Sequence, residues 1–153
     1  MSDLRGLYQE VILDHSKRPR NFRKMADAGH TAQGYNPLCG DKVSVYVKVE
    51  NGRVSDVSFE GSGCAISTAS ASIMTEMVRG RTPEEARSLF DRFHDLVTTG
   101  GGLRGDGPAL GKLAVFSKLG DYPARVKCAT LVWHTLRSAL EGAGAAAVST
   151  EQE

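Results

Sequence analysis

Three features of the sequence predict a small α+β domain. Alternating valines around one Asn-Gly dipeptide mark a β-hairpin, helical periodicity runs before and after it, and 153 residues suit a single core. A domain of this length buries roughly 68–70% of its unfolded surface, so it needs neither a metal nor disulfides merely to fold. Its composition, 41% hydrophobic and 24% charged, is ordinary for a globular chain. With 19 basic against 18 acidic side chains, no net field draws nucleic acid or an anionic membrane. No apolar run approaches a bilayer span, and Met1-Ser2-Asp3 lacks the charged and apolar regions of a signal peptide. The expected location is therefore cytoplasmic.

Leu4, Leu7, Tyr8, Val11, Ile12 and His15 recur at helical spacing, which predicts an amphipathic helix from about Asp3 to Ser16 with Asp3 as its N-cap. His15 falls on the apolar stripe and reads as a packed, hydrogen-bonded side chain rather than a metal ligand. Pro19 ends the helix by disfavouring helical geometry at Arg18. The basic run Lys17-Arg18-Pro19-Arg20 suits either a solvated turn or a patch for an acidic partner. Phe22 to Tyr35 reads as irregular surface chain, with His30 lacking neighbours that would make it a ligand.

Val43, Val45, Val47 and Val49 then alternate with Ser44, Tyr46 and Lys48, the period of a half-buried strand. Asn51-Gly52 is the strongest short-range hairpin signal, and the return strand runs from about Arg53 to Glu60 with Val57 and Phe59 on its apolar face. Ile66, Ala69, Ile73, Met74 and Met77 mark a helix over Ala65 to Arg79, closed by Gly80. The small residues from Ser67 to Ser72 suit close packing. Thr82-Pro83-Glu84-Glu85 starts a helix continued by Ala86, Leu89, Phe90, Phe93 and Val97, with His94 structural beside that stripe. Thr98 to Gly107 reads as a glycine-rich mobile loop. It is not a phosphate cradle, because Asp106 stands at the first Walker glycine and Leu113 at the required Ser or Thr. Leu110 to Leu119 is a short apolar helical segment. Pro123 to Glu141 is a longer helix, capped by Asp121 and turning Ala129, Val132, Trp133, Leu136 and Leu140 inward. Gly142 to Glu153 is small and polar and reads as a disordered tail.

The chemistry concentrates in Asn36-Pro37-Leu38-Cys39-Gly40-Asp41, Gly61-Ser62-Gly63-Cys64 and Arg125-Val126-Lys127-Cys128, which hold all three cysteines. An odd count closes no disulfide set. The antiparallel hairpin brings Cys39 and Asp41 beside Gly61 to Cys64 at one end. Cys64 opens a helix, where amide groups and the dipole favour a thiolate, and its flanking glycines let backbone approach a bound ion. Three thiols and one carboxylate make the four ligands of a tetrahedral zinc ion. Lys42, Arg125 and Lys127 are the nearest compensating charges in the chain.

These stretches, together with Leu7-Tyr8, Val11-Ile12, Asp14-His15 and Pro19-Arg20-Asn21 near the start and Ala65-Ile66-Ser67 and Ala129-Thr130-Leu131 after the second and third cysteines, resemble the iron-sulfur cluster assembly family that includes IscU and SufU, the NifU N-terminal-like proteins. The resemblance spans residues 1–141 as one domain and leaves 142–153 as the tail. It implies a SufE/NifU-like α+β fold: an antiparallel sheet of about three strands with helices packed on one side. IscU-type scaffolds carry a histidine directly before the third cysteine, where this chain has Lys127. They also carry a Leu-Pro-Pro-Val-Lys stretch, where it has Asp121-Tyr122-Pro123-Ala124-Arg125. The segment Arg87 to Lys118 is typical of the SufU-like branch.

That branch implies a zinc-dependent sulfurtransferase. It would take persulfide sulfur from a SufS-type cysteine desulfurase and pass it to a downstream iron-sulfur scaffold or apo-protein. Carried over by position, Cys39, Asp41, Cys64 and Cys128 are the implied metal ligands and Cys39 the implied catalytic sulfur acceptor. A saturated four-ligand zinc is chemically quiet, so Cys39 must leave it to react, a desulfurase histidine taking its place. The alternatives are an iron-sulfur cluster scaffold using the same cysteines and a structural zinc-binding interaction module.

Overall fold

The computed structural model describes residues 2–25, 28–36, 40–99, 113, 116, 123–141 and 147–149. In chain order these form α1 (Ser2–Lys17), β1 (His30–Asn36), β2 (Asp41–Glu50), β3 (Arg53–Ser62), α2 (Ala65–Val78), α3 (Pro83–Thr99), α4 (Pro123–Leu140) and β4 (Ala147–Ser149). The sheet order is β3-β2-β1-β4. β1, β2 and β3 pair antiparallel, and β4 joins β1 in parallel, with Gln33 opposite Ala147.

The Asn-Gly turn behaves as its chemistry requires: Asn51 and Gly52 have φ of 54° and 76°, the positive pair of a type I′ turn. Alternation then sends Val43, Val45 and Val47 to the same buried face as Val57 and Phe59 of β3. α2 covers β3 and α4 covers β1 and β2, while α1 packs on α2 and α3 on α4. Thr31, Gln33, Tyr35 and Lys42 on the other face are exposed, so the helices lie on one side of the sheet as expected. Trp133, Phe93, Phe116, Ile73, Met74 and Leu113 are fully buried at the centre. The predicted capping box at Thr82 closes in both directions, at 2.9 and 3.1 Å.

The polar motif after α1 is structural. His15 Nδ1 lies 2.7 Å from Ser72 Oγ, which also accepts the Arg20 amide at 2.8 Å. Arg20 returns to Asp14 at 2.7 Å, and Asn21 Nδ2 donates to Thr75 Oγ1 at 3.0 Å. Asp14, His15, Arg20 and Asn21 together bolt α1 onto α2.

Three expectations change. His30–Asn36 is a strand rather than irregular chain: its buried positions are Ala32, Gly34 and Asn36, too small or too polar to give an apolar alternation. The tail expected to be disordered contains β4, held through backbone pairing that composition does not reveal. Thr98 and Thr99 belong to α3, whereas residues 100–107, Asp121 and most of 110–119 lie outside the described residues.

Candidate metal centre

The centre is built at the end of the sheet where β2 begins and β3 stops. Lys42 lies opposite Ser62 and Val43 opposite Gly61, so Asp41 stands beside the turn into α2. Cys64 is the N-cap of α2, with extended backbone (φ −72°, ψ 172°), and its sulfur accepts the Ser67 amide at 3.4 Å. Asp41 Oδ1 accepts the Cys64 amide at 3.2 Å, which ties the carboxylate to the helix start. α4 delivers Cys128 from the other side. Ser70 Oγ on α2 donates to the Ala129 carbonyl at 2.6 Å, immediately after Cys128.

One ligand atom each from Asp41, Cys64 and Cys128 therefore lies within 4.8 Å of the others. Asp41 and Cys128 are buried, at 1% and 4% exposure, while Cys64 is exposed. Asp41 Oδ2 is buried with no hydrogen-bond partner among the described residues. A buried carboxylate oxygen left unpaired is costly, and beside two sulfurs a cation is what would offset that cost. Two thiols and a carboxylate suit zinc, and a fourth donor would complete a tetrahedron. The residues present thus fit the metal.

The Cys64 thiol is also prepared as an anion. The Cys64 thiol is lowered from 9.0 to about 6, first by a hydrogen bond from Cys128 and then by the Ser67 and Ile66 amides, against burial and the Asp41 charge. The helix-start amides add to the larger effect of the Cys128 hydrogen bond.

Of the four site residues expected from sequence, the structure brings three together. Cys39 lies outside the described residues, in the connection between Asn36 and Gly40, whose amide donates to the Asn36 carbonyl at 2.8 Å. Lys42 does not serve as a compensating charge beside Asp41. Adjacent strand residues face opposite ways, and Lys42 lines an open cleft on the other face of the sheet with Gln33, Tyr35, Ser44 and Glu60. Arg125 is exposed and Lys127 half-buried on α4. Sequence reading missed the bond from the Cys64 amide to Asp41, because it joins residues 23 apart across the hairpin. Among the described residues no helix is long and apolar enough to cross a membrane.

Residues 7–129 match the model of the NifU-like N terminal domain. The iron-sulfur cluster assembly scaffold protein IscU of Streptococcus pyogenes serotype M1 is 38% identical over 155 aligned positions, which cover 99% of this chain and 94% of that protein. The zinc-dependent sulfurtransferase SufU of Bacillus subtilis strain 168 is 39% identical over 135 positions, covering 88% and 93%. A SufU structure from Fervidobacterium islandicum AW-1 superposes with a TM-score of 0.76 at 36% identity over 86% of this chain and 94% of that one. The N-terminal part of a NifU-like protein from Brucella abortus gives 0.76 at 27% identity over 88% and 92%.

Proposed function

The chain belongs to the NifU-like N-terminal domain family of iron-sulfur cluster assembly proteins, and on that premise we propose that it is a zinc-dependent sulfurtransferase taking persulfide sulfur from a SufS-type cysteine desulfurase. The observation that carries this reading is the convergence of Asp41, Cys64 and Cys128, with the buried Asp41 Oδ2 lacking a hydrogen-bond partner among the described residues. The likeness to a relative named as a zinc-dependent sulfurtransferase supports it, as does Lys127 in place of a histidine before Cys128. Cys39 is two residues from Asp41, and so short a piece of chain spans at most about 7 Å, which keeps the thiol within reach of the same centre.

Bound there, zinc supplies the charge that holds the thiols deprotonated at neutral pH. Asp41 and Cys128, both buried, anchor the centre on β2 and α4. Cys39, as thiolate, attacks the outer sulfur of the desulfurase persulfide. A new S–S bond forms at Cys39 while the old one breaks, and the desulfurase cysteine leaves as thiolate. No outside oxidant or reductant enters. The Cys39 persulfide is then passed to an iron-sulfur scaffold or apo-protein.

The test is desulfurase turnover with and without this protein, paired with metal analysis. Cys39→Ala should keep the fold and abolish stimulation of the desulfurase; unchanged stimulation overturns the proposal. A second reading, a cluster scaffold on the same cysteines, is favoured by relatives that carry that name. Purification without oxygen from an iron-replete host separates the two. Stoichiometric zinc without a visible chromophore supports transfer, and a brown protein that loads an apo-acceptor supports the scaffold.

A further inference from the structure

The stretch Gly61-Ser62-Gly63-Cys64, from the end of β3 to the N-cap of α2, contains two glycines with different duties. At Gly61 φ is +152°, and a β-carbon there would run into the backbone of Lys42 and Val43 on the paired strand. Gly61 therefore serves the ladder. A β-carbon at Gly63 would meet side-chain atoms instead: Asp41 Oδ1 at 2.8 Å, Asp41 Cγ at 3.1 Å and Ser67 Oγ at 3.0 Å. The space a methyl group would fill is already taken, most closely by the carboxylate and next by the Ser67 hydroxyl.

We propose that Gly63 is a positioning residue for Asp41: its bare Cα leaves the pocket in which the carboxylate lies. Asp41 starts a paired strand and is 1% exposed, so its short side chain has few other places to go. Oδ1 is held by the Cys64 amide, and Oδ2 is left as the donor for a cation. An added methyl group presses on the end of a side chain and not on backbone. The strain falls on the aim of the carboxylate and spares the sheet. Glycine at 63 thus has its effect through a ligand, rather than by admitting backbone to the ion as the sequence suggests.

This assignment rests on the reading of Asp41 as a metal ligand, and the experiment keeps the two apart. Zinc affinity, measured by chelator competition, is compared in the parent, Gly63→Ala, Asp41→Ala and the double variant. Circular dichroism reports the fold, and cobalt(II) absorption reports the ligand set. Gly63→Ala should keep the fold, lose about 10–100-fold in zinc affinity, as is typical when the support of a ligand is disturbed, and shift the cobalt bands. On the Asp41→Ala background it should cost nothing further, because its effect passes through the carboxylate. Equal losses on both backgrounds, unchanged affinity in Gly63→Ala, or loss of its fold each overturn the assignment of Gly63. Unchanged affinity in Asp41→Ala overturns the ligand reading itself.

Discussion

Ser70 is the hinge on which α2 and α4 meet beneath the centre, and Ser70→Ala is the sharpest test of that packing. The hydroxyl is fully buried; it donates to the Ala129 carbonyl at 2.6 Å and accepts the Trp133 indole N–H at 3.2 Å. The Ala129 carbonyl keeps its bond within α4 when the hydroxyl is removed, but the indole N–H does not find another partner. Trp133 is 0% exposed, so water cannot reach it without a shift in packing. An orphaned buried donor costs about 1–3 kcal/mol, and about 2 kcal/mol is expected here. For a domain of this size that lowers the melting temperature by about 4–8 °C. Trp133 is the only tryptophan in the chain, so its emission follows urea unfolding at the place of the change. Ser55→Ala, at an exposed hydroxyl bonded to the Lys48 carbonyl, is the comparison and should stay within about 0.5 kcal/mol. A Ser70→Ala loss of less than about 0.5 kcal/mol with an unchanged denaturant slope would refute the account of a serine stitch.

Two further outcomes follow from the site. In metal-free protein the Cys64 thiol, held at about 6 against an ordinary 9.0, should react with an alkylating agent half-maximally near pH 6, read by peptide mass spectrometry. Because the folded value is depressed, the thiolate's contribution to stability is complete above about pH 9 and is lost as pH falls through about 6. Cys128→Ala removes the largest cause and should move the midpoint upward; a midpoint near 9 in the parent would contradict the geometry. Chelation of the metal should leave circular dichroism and Trp133 emission unchanged, since Val45, Val47, Phe93 and Trp133 bury themselves without help from the centre. A protein that unfolds on chelation would show the metal to be structural.

The parts of this fold that were legible in the sequence are those where side chains announce the backbone. Asn51-Gly52 specifies its turn through positive φ, the valines of β2 specify a face, and Thr82 with Glu85 specifies a helix start. β1 was not legible because its inward positions are Ala32, Gly34 and Asn36, which give strand pairing no apolar signature. β4 is held to β1 by backbone pairing, to which side-chain patterns are blind. At the site, the hairpin register placed Asp41 beside Cys64 from sequence alone, because pairing distance is set by the turn. That Lys42 faces away was equally implicit in the alternation. Nearness in the chain, however, is a poor guide to charge compensation across a sheet.

Burial orders the donors in a way that bears on either proposed chemistry. Asp41 and Cys128 are held by the sheet and by α4, out of solvent, whereas Cys64 stands at an exposed helix start. Among the described donors, Cys64 is the one open to an approaching partner. A metal bound there would keep the two buried donors, Asp41 and Cys128, while the exposed thiol changed partners. Sulfur transfer needs an exchangeable thiol over a retained metal, and cluster release needs exposed ligands over a retained frame. One arrangement meets both demands, so the choice between the two activities falls to the fourth donor, to the metal offered and to residues beside the donors such as Lys127.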